Sequence, residues 1–196
     1  MGLTEQAFAL SEAMLADPLP RRWAHSLGVA KRAASLRPIL GRDADLMEAA
    51  AVLHDVGYSP SIATTGFHPL DGARFLRDQE SFDERVIRLV AHHSCALLEA
   101  EERGLRDELA SEFELEQPEL VDALIYCDMT TTPDGGHTTP ADRLDEIVSR
   151  YGPDTIVGRF IQRAAPDIHA AASRVNARMT AAEATSADVG RRPGGA

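Results

Sequence analysis

Lysine is almost missing from this chain: Lys31 is the only one, so arginine carries nearly all the positive charge. That skew reads mainly as genomic base composition. Positive charge is also short overall, with 20 Lys and Arg against 31 Asp and Glu and a formal net charge of −11. A general nucleic-acid binder needs a phosphate-neutralising surface, and this balance argues against one. It does not exclude an anionic small substrate held by metal ions and a few local arginines. Cysteine is scarce too. Cys95 and Cys127 form no CxxC pair and no disulfide framework, so both are expected as free, buried thiols. No apolar run approaches ~18 residues and no signal peptide is evident, so the expectation is a soluble, cytoplasmic protein with no membrane partner. Internal repeats and strand-like alternation are absent as well.

Alanine and leucine dominate what is present, within a hydrophobic share of 44%. That bias favours helix over sheet, and 196 residues suit one domain with a sizeable core. The expectation is therefore an all-α chain forming one domain over residues 1–182. Its tail, 183–196, loses the apolar period and is expected to be disordered. Thr4 is placed to cap a first helix running to about Ala16, which Asp17-Pro18-Leu19-Pro20 ends. A longer helix follows from Pro20 to Leu40, with Gly28 three residues after His25, where a missing side chain would let another helix approach the imidazole. The next helix starts at Asp43 or Asp45 and ends near Val56. A loop covers residues 57–67, and Pro69 suits the first turn of a helix opening at His68. Ser81 to Glu84 matches a capping box for the helix that reaches His92-His93. Residues 99–116 are strongly acidic and read as a solvated helix and its connection. Helical faces through Leu120–Ile125, Leu144–Val148, Ile156–Ile161 and Ile168–Met179 complete the chain.

Ala49 to Tyr58 contains an apolar run that delivers the pair His54-Asp55 and stops at Gly57. A buried carboxylate is costly unless it is paired or bound to a metal. The dipeptide alone decides nothing, because it occurs by chance in roughly one chain in five of this length. Its company changes that: His25 precedes it, and His68, His92, His93 and Asp128 follow, most of them at or near the end of an apolar helix. Imidazoles and carboxylates converging from several helices are how bundles build dinuclear sites. Nitrogen and oxygen donors without thiolate favour Fe or Mn, with Zn, Co or Ni possible. A carboxylate bridges two ions naturally, and Asp55 is the candidate bridge.

The ordered set His25, His54-Asp55, Asp128 resembles the HD superfamily of metal-dependent phosphohydrolases, and His68 and His92 resemble its multi-metal branch. Arg22–Val29, Leu53–Gly57 and His68–Ala73 read like its local motifs, and the similarity covers about residues 20–130. The resemblance implies an HD-type helical bundle whose C-terminal helices, 140–180, lie outside the motif core. It implies that His25, His54, Asp55 and Asp128 hold one metal and that Asp55, His68 and His92 hold a second. His93 is the alternative to His92, or an acid beside the site. Arg22 and Arg74 are candidates for substrate phosphate contacts. The implied chemistry is hydrolysis of a phosphoester or phosphoanhydride of a small phosphorylated metabolite or nucleotide by metal-activated water; a homodimer is possible. Two departures stand out. Tyr58 replaces a lysine common three residues after the aspartate, and His92-His93 leads into Ser94-Cys95-Ala96 rather than Gly-Tyr-Pro, against cyclic-dinucleotide hydrolysis. A di-iron HD-fold oxygenase and a non-enzymatic, metal-stabilised binding module are the competing readings.

Overall fold

A computed structural model describes residues 2–79 and 81–189 of the chain. It contains the helices α1 (Leu3–Leu15), α2 (Pro20–Ser35), α3 (Arg37–Leu40), α4 (Ala44–Leu53), α5 (His68–Asp78), α6 (Glu84–His92), α7 (Ala96–Arg103), α8 (Arg106–Glu112), α9 (Pro118–Met129), α10 (Pro140–Tyr151) and α11 (Ile156–Val189). Among the described residues the β-type pairing is one isolated bridge, Thr131 with His137. The all-α expectation holds.

The central element is α4. Ala49, Ala50, Ala51, Val52 and Leu53 are all fully buried. Their small side chains let α1 and α2 pack closely on either side. Its last carbonyls, which no helical N–H can reach, are met by side chains: Ser11 Oγ donates to Val52 O at 2.7 Å, and His54 Nδ1 to Ala51 O at 2.8 Å. A large core joins α1, α2, α4, α5, α6 and α9. A smaller one joins α9, α10 and α11 through Ile125, Met129, Leu144, Ile147, Phe160, Ile161 and Ile168. Residues Asp128 and Met129, at the end of α9, therefore stand where the two cores meet.

Several boundaries differ from those read in the sequence, each for a local reason. Helix α1 begins at Leu3, so Thr4 lies inside its first turn, and Glu5 accepts the Gly2 N–H at 3.2 Å. Helix α2 stops at Ser35 because Pro38 has no N–H for the Ala34 carbonyl and its ring crowds it. Asp83, not Ser81, caps α6, accepting from Arg85 N at 2.8 Å. The acidic stretch is not simply solvated: it forms α7 and α8, Glu99 and Glu116 are buried, and its carboxylates pair with Arg74, Arg77, Arg85 and Arg88. Helix α11 runs unbroken through Pro166, which is tolerated because it lies on the exposed side while Ala164, Ile168, Ala171 and Val175 keep one buried stripe. It also carries residues 183–189 as helix, where a disordered tail is expected; residues 190–196 of that tail lie outside the described residues.

Candidate metal centre

Five elements deliver the site. His25 comes from the first turns of α2, and His54-Asp55 from the turn just past α4. His68 opens α5, His93 follows α6, and Asp128 lies in the last turn of α9. Two glycines shape the approach to His25. A Cβ on Gly28 would fall 2.6 Å from Gly135 Cα, and one on Gly135, at φ +81°, would fall 2.4 Å from Ala24 O. The close approach is thus made by the 130–139 loop rather than by a helix. It brings Thr132 O to 2.9 Å from His25 Nδ1.

The imidazoles are oriented by backbone carbonyls. His25 Nδ1–H donates to Thr132 O, His54 Nδ1–H to Ala51 O, and His93 Nδ1–H to Val90 O at 2.7 Å. The last two are the same device, a histidine just past a helix end capping the carbonyl three residues back. Each bond engages Nδ1 as the donor and leaves Nε2 as the ring atom turned to the site, where a neutral ring would offer its lone pair to a metal. These Nε2 atoms point at acceptors or at one another. His25 Nε2 lies 3.0 Å from Asp128 Oδ1, and His93 Nε2 lies 2.9 Å from His68 Nε2. His54 Nε2 is buried 3.3 Å from Asp55 Oδ2 without hydrogen-bonding to it.

Two clusters result, His25 with His54 and Asp128, and Asp55 with His68 and His93; within each, one donor atom per residue lies within 4.8 Å of the others. Asp55 stands between them, with Oδ2 3.3 Å from His54 Nε2 and 3.9 Å from His25 Nε2, and Oδ1 3.4 Å from His68 Nε2. Imidazole nitrogens and carboxylates converging without thiolate are the donor set that such metal ions take, so the residues fit metal ions.

Charge placement agrees. Burial raises the pKa of Asp55, but Arg22, His54 and His68 outweigh it and hold the carboxyl well below its usual range. Asp128 is likewise held low against burial, by His25, His54 and Arg143. Burial opposes charging His54, yet Asp55 and Asp128 raise its pKa. His93 is pushed down to about 4 by burial and by His54, which keeps it a neutral lone-pair donor rather than an acid. Arg22 Nη1 donates to Asp55 Oδ2 at 2.7 Å, with its guanidinium 3.9 Å over the Tyr58 ring. Tyr58 in turn stacks on His68 at 3.9 Å. The tyrosine in place of lysine thus positions one imidazole and one arginine. Ser94 and Cys95 both adopt left-handed backbone, φ 48° and 63°, and this reversal turns the Ser94 hydroxyl onto Asp128 Oδ2.

Two expected residues fall elsewhere. His92 Nε2 donates to Phe113 O at 2.8 Å on the other face of α6, so His93 and not His92 joins the cluster. The spacing carries the signal: His93 follows Val86, Leu89 and Val90 by seven, four and three residues, whereas His92 follows Arg85 and Arg88 by seven and four. Arg74 is engaged by Glu108 and Glu112 of α8 and does not line the cleft. Conversely, Ser94, Glu99, Arg143 and Arg150 do line it, and nothing local in the sequence marks them. His137 sits beside Arg32 in a separate groove.

An all-helical chain with paired His/Asp clusters at its helix ends defines a class, the helical metal-site proteins. The family follows: the HD domain family model matches residues 22–131, more than half of the chain, and the chain belongs to the HD-domain family, whose members are mostly metal-dependent phosphohydrolases. Two curated relatives are named ribonuclease Y. That of Rubrobacter xylanophilus is 39% identical over 70 residues, 36% of this chain and 14% of that one. That of Rhodopirellula baltica is 36% identical over 69 residues, 35% of this chain and 13% of that one. The chain therefore spans only a small part of these relatives' length. No solved structure matches it significantly. No helix among the described residues is long and apolar enough to cross a membrane.

Proposed function

We propose that this chain hydrolyses a phosphoester or phosphoanhydride bond of a small phosphorylated metabolite or nucleotide, using two metal ions. His25, His54 and Asp128 would hold one, His68 and His93 the other, and Asp55 would bridge them. The observation that carries this reading is the set of three Nδ1–H bonds to backbone carbonyls, which turns three Nε2 atoms toward one buried carboxylate-lined space. Fe or Mn is favoured, with Zn, Co or Ni compatible with the donors. Bound ions would supply a water of lowered pKa and neutralise phosphoryl oxygens. The chain's own residues orient and exclude. Arg22 fixes Asp55 and presents positive charge at the cleft, Tyr58 holds Arg22 and His68 in register, and Ser94 steadies Asp128. Ile147, Val157, Phe160 and Ile161 give the space an apolar wall.

The matches to ribonuclease Y favour a second reading, in which the bond is a phosphodiester of RNA. The net charge of −11 weighs for the smaller substrate. Elemental analysis of protein purified without chelator, with an aryl phosphoester, a nucleotide panel and a short RNA as substrates, tests both. About two metal equivalents, nucleotide or metabolite turnover and its loss in Asp55→Ala are expected. Turnover of RNA alone would move the assignment to the second reading. Protein that neither carries nor takes up metal would overturn both, and two irons without hydrolysis would redirect the search to oxygen uptake.

A further inference from the structure

One face of α10, outside the segment the HD family model matches, turns toward the cleft. Arg143, Ile147, Arg150 and Tyr151, at helical spacings of four, seven and eight, all line it. Arg143 is 5% exposed. Its Nη1 reaches Glu146, but its Nε is buried with no partner. Arg150 Nε approaches the same Glu146 at 3.3 Å. One carboxylate thus serves two guanidinium groups, that of buried Arg143 and that of the more exposed Arg150, and leaves the Arg143 Nε–H unmet. A buried guanidinium with an unmet N–H is costly until an acceptor arrives. The other nearby arginines are engaged, Arg22 by Asp55 and Arg21 by Asp134.

Arg143 and Arg150 also line the adjoining groove, whose far wall is Pro18 to Arg21 with Pro133. They therefore stand on the border between the space beside the His/Asp clusters and a second opening. A phosphoryl group seated against the clusters would have its neighbour at this border. The planar guanidinium fork suits phosphate oxygens, and a free Nε–H offers one of its two bidentate edges.

We propose that Arg143 and Arg150, spaced by Glu146, form a phosphate subsite that selects substrates carrying a second phosphate group beside the one attacked. The proposal rests on the phosphohydrolase reading of the neighbouring clusters. Calorimetric titration of the metal-bearing protein with inorganic pyrophosphate and with inorganic phosphate tests it without turnover. Arg143→Gln and Arg150→Gln are each expected to weaken pyrophosphate binding about ten-fold or more while changing phosphate binding less than about three-fold. Arg150, the more exposed of the two, keeps the test open if Arg143→Gln fails to fold. Equal loss for both anions would mean that the arginines hold the first phosphate only. That result, unchanged pyrophosphate binding in Arg150→Gln, or wild-type protein that binds neither anion would overturn the subsite. Failure of the underlying reading is seen separately, as absence of metal or of any phosphoester hydrolysis.

Discussion

Replacing Gly57 by alanine puts a methyl carbon 2.0 Å from His68 O, 2.8 Å from His68 C and 2.6 Å from Gly72 N. All three are backbone atoms of α5, so no rotamer change relieves the clash. Ordinary carbon contacts need about 3.5 Å, and α5 must withdraw by roughly 1 Å or more at its first turn. Overpacking of this kind costs about 1–3 kcal/mol. The same movement carries His68 away from Asp55 Oδ1 and His93 Nε2, now 3.4 and 2.9 Å away. A shift of that size in a reacting geometry lowers turnover about 10²-fold. Two further glycines grade the effect. A Cβ on Gly72 meets Gly57 N at 3.1 Å, a smaller intrusion from the other side of the same contact. One on Gly104 meets nothing, although its φ of +72° makes alanine there cost about 1–2 kcal/mol of stability. Thermal unfolding and metal content measured on all three variants are expected to separate. Metal loss should rank Gly57→Ala above Gly72→Ala, with Gly104→Ala losing stability alone. Wild-type metal content in Gly57→Ala, or metal loss in Gly104→Ala, would refute the role given to the Gly57–α5 contact.

The histidine pair offers a direct comparison. His93→Gln should lower metal affinity by more than the roughly 10–100-fold that follows loss of a supporting partner, whereas His92→Gln should leave metal content near wild type; calorimetric metal titration decides. Arg74→Gln should leave hydrolysis unchanged and cost about 1 kcal/mol or less, since its ion pairs with Glu108 and Glu112 are partly exposed; an activity loss would return Arg74 to the site. Acid should destabilise chelator-treated protein through His93. Its folded pKa of about 4 lies below the ordinary 6.5, so its contribution is complete above pH 6.5 and is lost as pH falls toward 4. The loss reaches about 3 kcal/mol; His68 and His92, also lowered by burial, act in the same sense, and His54, whose pKa is raised, in the opposite one. Urea titrations at pH 7 and 4.5 should show a smaller drop for His93→Gln than for wild type, and equal drops would remove His93 as the titrating group.

The helical class, the His54-Asp55 turn and the ligand-bearing ends of α2, α5 and α9 are legible because each is a local event. An apolar stripe runs out, a glycine or proline stops the helix, and a polar donor is left at the border of the core. The misplacement of His92 also has a local remedy, since the stripe of Val86, Leu89 and Val90 points to His93 while Arg85 and Arg88 point to His92. Its burial is then supplied by the distant Phe113 carbonyl, which no spacing within α6 announces. The Gly28 approach was readable as a need for space, but the occupant is a loop whose own glycine, Gly135, completes the fit.

What escaped the sequence depends on tertiary facing. The acidic run looked solvated because its partners, Arg74 and Arg77 on α5 and Arg85 and Arg88 on α6, lie at separations no local pattern connects. The face of α10 is the sharper case. Arg143 and Arg150 at i and i+7 would suit a surface helix with Glu146 between them as a solvated bridge. Only the packing of Leu144 and Ile147 against α9 and α11 rotates that face to the cleft. A motif core shared across a family places the metal-type donors, because those are tied to helix ends. The residues that choose among substrates can sit on an element whose orientation is set by the core beneath it, and the proposed phosphate subsite assigns that part to α10.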